Sequence, residues 1–176
     1  MKKEKNKKDS KRKLINWILL CIAIVLVCLI ASKVYNIYRD NKLGESVLSR
    51  ELGTMQYDDI DNSLNELASD GFVLISYTKD KSVKKLESLM KKTIIKNNLQ
   101  NNFLYYDATD LMLNDEYIDI LNKKFNLTGE DEIRALPALL YYKDGKHIKT
   151  ITSAKDEMMT NDDFVKLLYT YEIVID

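Results

Sequence analysis

Residues 133–146 read Ile133-Arg134-Ala135-Leu136-Pro137-Ala138-Leu139-Leu140-Tyr141-Tyr142-Lys143-Asp144-Gly145-Lys146. Pro137 is the one proline of the chain. The apolar run 138–142, bounded by Pro137 and by Asp144-Gly145, predicts a short buried strand entering a two-residue hairpin turn, because Asp-Gly accepts the left-handed backbone such turns need. A return strand over 147–152 follows, and then a helix over 161–173. In that helix Phe164, Leu167, Leu168 and Tyr171 fall at i, i+3, i+4 and i+7.

Working back toward the N-terminus, the same periodicities give alternating elements. Residues 114–126 predict a helix with Tyr117, Ile118, Leu121 and Phe125 inward, and 103–106 a buried strand ending at Asp107. Residues 82–97 predict a helix buried through Val83, Leu86, Leu89, Met90 and Ile94, its lysines forming a solvated face first and a binding patch second. The continuous apolar run 72–77 belongs in the middle of a sheet. Before it, Ile60, Leu64, Leu67 and Ala68 mark a helix over 59–69, with Asp58 as its N-cap and Gly71 as its stop, and 55–57 a short edge strand. The order β-α-β-α-β-α-β-β-α predicts an α/β fold: a central mixed sheet covered by helices on both faces.

The first third of the chain is different in kind. The formal net charge is zero, but residues 1–13 carry Lys2, Lys3, Lys5, Lys7, Lys8, Lys11, Arg12 and Lys13 against Glu4 and Asp9, and residues 33–176 are net acidic. An acidic body argues against a nucleic-acid surface. Between the two, residues 14–32, from Leu14 to Ser32, carry no charge and are long enough as a helix to span a bilayer. A cleaved signal peptide is the rival reading. The apolar run exceeds an ordinary signal core and offers only a weak cleavage site at Leu29-Ile30-Ala31, so an uncleaved anchor in membrane lipid is expected. The basic run places the N-terminus in the cytoplasm and the acidic part outside, as a single-pass protein of the cell membrane. The expected division is 1–13 a basic tail, 14–32 the anchor, 33–53 a juxtamembrane helix or stalk, and 54–176 the domain.

The element order, with Pro137 ahead of the hairpin, resembles the thioredoxin fold over about residues 54–176. Residues 133–146 are similar to the stretch around the cis-proline of thioredoxins, where Ile-Arg-x-x-Pro-Thr leads into a strand and a Lys-Asn/Asp-Gly turn. Among branches, the membrane-anchored thioredoxin-like proteins of Gram-positive bacteria, including bacteriocin-transport accessory proteins, look nearest. The family's chemistry needs Cys-x-x-Cys at the head of the helix after the central strand, where the helix end stabilises a thiolate. This chain has Asp80-Lys81-Ser82-Val83 there, and Leu74 where many thioredoxins bury a carboxylate. Its two cysteines, Cys21 and Cys28, lie within the apolar span. No enzymatic thiol-disulfide exchange is expected, and no cofactor.

What the resemblance leaves is binding. In redox-active relatives the backbone of the residue before the cis-proline pairs with an extended peptide lying against the cysteine loop. Carried over, that makes Leu136 and Pro137 one wall of a peptide groove and Thr78, Lys79, Asp80, Lys81, Ser82 and Val83 the other. The expected role is a non-catalytic module for a protein or peptide partner outside the membrane. The alternative is a structural subunit of an export or envelope complex, assembled through span and stalk. His147, the only histidine, sits past a hairpin turn and supports neither a triad nor a histidine metal site. Asp58, Asp59 and Asp61, like Glu130, Asp131 and Glu132, lack the spacing of a calcium loop.

Overall fold

The computed structural model describes residues 2–67 and 69–173. Ala68, expected on the inner face of a helix, and residues 174–176 lie outside the described residues. The chain forms two compact units, Met1–Lys42 and Leu43–Asp176. The first is most of one long helix, α1 (Lys2–Leu43). Within it Ile15–Leu43 is long and apolar enough to cross a membrane, with a mean hydropathy of 2.8 in its most apolar window.

The second unit runs β1 (Gly53–Thr54), α2 (Ile60–Asn65), β2 (Asp70–Ser76), α3 (Lys81–Lys96), β3 (Phe103–Asp107), α4 (Tyr117–Lys124), β4 (Ala135–Lys143), β5 (Lys146–Ser153) and α5 (Asn161–Thr170). The strands form one five-stranded sheet in the order β1-β3-β2-β4-β5. β1, β3 and β2 are parallel, while β4 is antiparallel to β2 and to β5. This connectivity, with a cis peptide bond at Leu136-Pro137, is a thioredoxin-like α/β fold.

The strands' alternation divides the core. Phe72, Leu74, Phe103, Tyr105, Leu139 and Tyr141 face one layer, which α3 and α5 cover with Leu86, Met90, Ile94, Phe164, Leu167 and Leu168. Val73, Ile75, Tyr106, Ala138, Leu140 and Tyr142 face the other, with Ile60 of α2 and Leu121 of α4. Period-two burial on a central strand fixes register, because a one-residue slip would exchange the two faces. On the first face Phe72 stacks on Phe103 at 4.7 Å and on Tyr141 at 5.3 Å, and the edge of Phe164 meets both Phe rings. Each such pair adds roughly 1 kcal/mol beyond its burial.

Asp144 and Gly145 both take positive φ, 50° and 75°, as the expected two-residue turn requires. Other expectations shift. The second helix is only Ile60–Asn65, preceded by a 3-10 turn, and its N-cap is Asp59, with no side-chain capping bond, rather than Asp58. The edge strand is Gly53–Thr54 rather than 55–57. Gly71 does not stop a helix. It lies inside β2, where a Cβ would stand 2.9 Å from the Leu67 side chain, so close packing rather than a turn requires glycine. Leu89, expected inward, is exposed. Residues 43–53, read from sequence as stalk, fall in the second unit, and Leu48 and Leu52 are buried in the α3 layer.

Candidate functional site

β2 and β4 pair until Ile75 meets Ala138, the last partners of their ladder. The chain beyond Ile75 and the chain before Ala138 therefore emerge at the same end of the sheet. That brings the segment 78–83 and the Leu136-Pro137 pair to one place, as two sides of one strand end.

The helix side is polar. Asp80 is the N-cap of α3, its Oδ1 accepting from the Ser82 N–H at 2.7 Å and the Val83 N–H at 3.0 Å. A short carboxylate next to unpaired amides at the positive end of a helix is the expected cap. These amides occupy the helix end that would stabilise a thiolate in a thioredoxin, and here a side chain of the chain itself fills their valence. Lys79 takes φ 69°, uncommon for a residue with a Cβ. Its N–H donates to the Leu43 carbonyl at 2.8 Å. The Thr78 N–H donates to Thr109 Oγ1, also at 2.8 Å, and Asp107 accepts from both the N–H and the hydroxyl of Thr109. Lys79, Lys81 and Ser82 are exposed, Thr78 and Asp80 half-buried and Val83 buried. Burial first, and next the Asp80 charge, raise the Tyr77 phenol above its ordinary range.

The proline side is built otherwise. Leu136 and Pro137 are buried. Proline has no N–H for the ladder, and the β4–β5 register shifts between Ala135 and Ala138. Two hydroxyls fill the gap. Thr152 Oγ1 accepts from the Arg134 N–H at 2.9 Å and donates to the Ala135 carbonyl at 3.0 Å, while Ser153 Oγ donates to the Pro137 carbonyl at 2.7 Å and accepts from the Met159 N–H. Sequence reading missed both, because their role depends on the register between β4 and β5.

Behind the helix side lies a group the sequence reading also missed. Glu87, on the inner face of α3, is 2% exposed. Its Oε1 accepts from Ser76 Oγ at 2.7 Å and Tyr105 Oη at 3.1 Å, its Oε2 from Ser46 Oγ at 2.9 Å and the Val47 N–H at 2.8 Å. All four partners donate, as an acceptor-only carboxylate requires. Burial, and next the charge of Glu87, push the Tyr105 phenol far up, which keeps it a donor. So although Leu74 stands on β2 where a carboxylate could be buried, this layer does bury one, delivered from the helix and tied to residues 46–47 and 76. Among the described residues no cluster of three or more His, Cys, Asp or Glu is placed to hold a metal ion. Asp61 instead pairs with Lys124 at 2.8 Å.

No family model and no curated protein matches the chain. Among solved structures it is similar to thioredoxin f2 of Chlamydomonas reinhardtii, at 14% identity and a TM-score of 0.48 over 68% of this chain and 95% of that one. It is similar also to mitochondrial thioredoxin 3 of Saccharomyces cerevisiae, at 17% identity and 0.48 over 70% and 98%. The thioredoxin of Plasmodium falciparum gives 15% and 0.46 over 68% and 97%. The fold itself is given by the strand order and connectivity described above.

Proposed function

We propose that this chain is a membrane-anchored, extracytoplasmic thioredoxin-like protein that holds a peptide or a neighbouring protein without thiol-disulfide chemistry. The observation that carries the reading is the contrast at the end of β2. The strand-and-proline geometry is kept, but the head of α3 is capped by Asp80, and the chain's cysteines, Cys21 and Cys28, both belong to α1. The apolar helix supports the anchor, and the basic residues before it support a cytoplasmic N-terminus with the domain outside. The resemblance to anchored proteins of Gram-positive bacteria, bacteriocin-transport accessory proteins among them, directs the search for a partner to envelope and export proteins.

The test is co-purification of a partner with the full chain from membranes. Capture is expected to be lost both in Leu136→Ala/Pro137→Ala and in Ser82→Trp, which blocks the exposed helix side without removing a hydrogen bond of the fold. Undiminished capture by Ser82→Trp and by the double variant removes the groove from the proposal. If exchanging residues 14–32 for an unrelated span abolishes capture instead, assembly runs through the membrane segment.

A further inference from the structure

The outer face of α3 is strongly basic within a part of the chain, residues 33–176, that is net acidic. Lys81, Lys84, Lys85, Lys91, Lys92 and Lys96 fall on one arc of this sixteen-residue helix, and its single acid, Glu87, is turned inward. Lys91 pairs with Glu51 at 2.6 Å and Lys84 Nζ donates to the Glu45 carbonyl. Among the described ion pairs none involves Lys81, Lys85, Lys92 or Lys96. Leu89 and Ile95 stand exposed on the same helix, 42% and 41%. An arc of lysine stems with aliphatic side chains among them is the composition that lies on an anionic lipid surface, heads on phosphate and stems on the acyl boundary.

The tether decides between this occupant and a freely diffusing acid. Only residues 33–42 separate the apolar span from the second unit, at most roughly 35 Å of fully extended chain. The helix is thus held at high effective concentration beside a bilayer for the life of the protein. Within a Debye length of an anionic surface each lysine adds attraction. We infer that the Lys81–Lys96 face of α3 docks the domain onto anionic phospholipid of the membrane in which the chain is anchored. This rests on the anchoring reading above.

The experiment uses the full chain with Cys21→Ser and Cys28→Ser, in nanodiscs of phosphatidylcholine alone or with about one third phosphatidylglycerol. A bimane label at Ser88→Cys, inside the lysine arc, reports contact through quenching by a headgroup nitroxide lipid. A label at Asn62→Cys, exposed on α2, is the control. Ser88 is expected to be quenched in anionic discs only. The contact population should fall about tenfold in Lys85→Gln/Lys92→Gln/Lys96→Gln, and also on raising salt to about 0.5 M. Asn62 should stay unquenched throughout. Equal quenching of Ser88 in neutral and anionic discs, or none in either, overturns the docking while leaving the anchor intact. A chain that does not enter discs of either composition overturns the anchor, and the docking with it.

Discussion

The two sides of the strand end are satisfied by opposite means. On the helix side a carboxylate, Asp80, closes the head of α3, and a second, Glu87, braces the same helix from beneath. On the proline side no charge takes part. Leu136 and Pro137 are packed away, and the hydroxyls of Thr152 and Ser153 complete a ladder that proline interrupts. The difference bears on the proposed reading. The proline side is built from packed apolar groups and neutral hydroxyls, whereas the amides at the head of α3, of the kind that stabilise a thiolate, are engaged by Asp80.

Glu87 gives the largest expected effect. Glu87→Ala strands four donors in the core and should cost about 3–4 kcal/mol. Glu87→Gln should recover more than half, since its oxygen can face the fixed Val47 N–H while its amide donates to the hydroxyls of Ser76 and Tyr105, which can rotate. Urea unfolding followed by far-UV circular dichroism measures both, because Trp17, the only tryptophan, lies in α1 and does not report on the sheet. Equal losses in the two variants would mean that charge rather than hydrogen-bond count holds α3 in place.

The proline side should respond through packing instead. Leu136→Ala is expected to cost about 2–3 kcal/mol, with no dependence on salt. Asp80→Ala should cost about 1 kcal/mol and Asp80→Asn much less, since asparagine caps nearly as well. A loss at Asp80→Ala as large as that at Glu87→Ala would contradict the division of labour between cap and brace.

The smallest effect belongs to His147, near the start of β5 just past the hairpin turn. Burial, the first cause, holds its pKa below the ordinary value, against the nearby Asp131 charge. Folding thus favours the neutral ring, and the unfolded chain binds the extra proton. The stabilisation is complete above the unfolded pKa, about 6.5, and is lost as pH falls through the folded one. Acidifying from roughly pH 7.5 to 5.5 should therefore lower stability by under about 1 kcal/mol, and His147→Gln should flatten that slope.

Much of the fold could be read from residues whose local preference and global position agree. The 138–142 run, the Asp144-Gly145 turn and the continuous apolar strand around Phe72 each carry a pattern that tertiary packing only reinforces. What escaped depended on contacts distant in sequence. Glu87 reads as one more surface charge of a lysine-rich helix until Ser46 and Val47, forty residues earlier, close over it. The burial of Leu48 and Leu52 follows from the same closure. Gly71 has the composition of a stop, and only the approach of Leu67 explains it otherwise. At the candidate site the two segments were legible, but the use of Asp80 as a cap and the repair by Thr152 and Ser153 are matters of geometry.

The most direct test of a groove that binds without reacting is photo-crosslinking from its two sides. A benzophenone amino acid is placed at Lys79 in one variant and at Arg134, the exposed neighbour of the proline side, in another, with Asn62 as control. The account predicts that both variants, in intact cells, crosslink the same partner segment, that Asn62 does not, and that reductant leaves the yield unchanged. Different partners from the two sides, no crosslink from either, or a yield from Asn62 equal to theirs would contradict it.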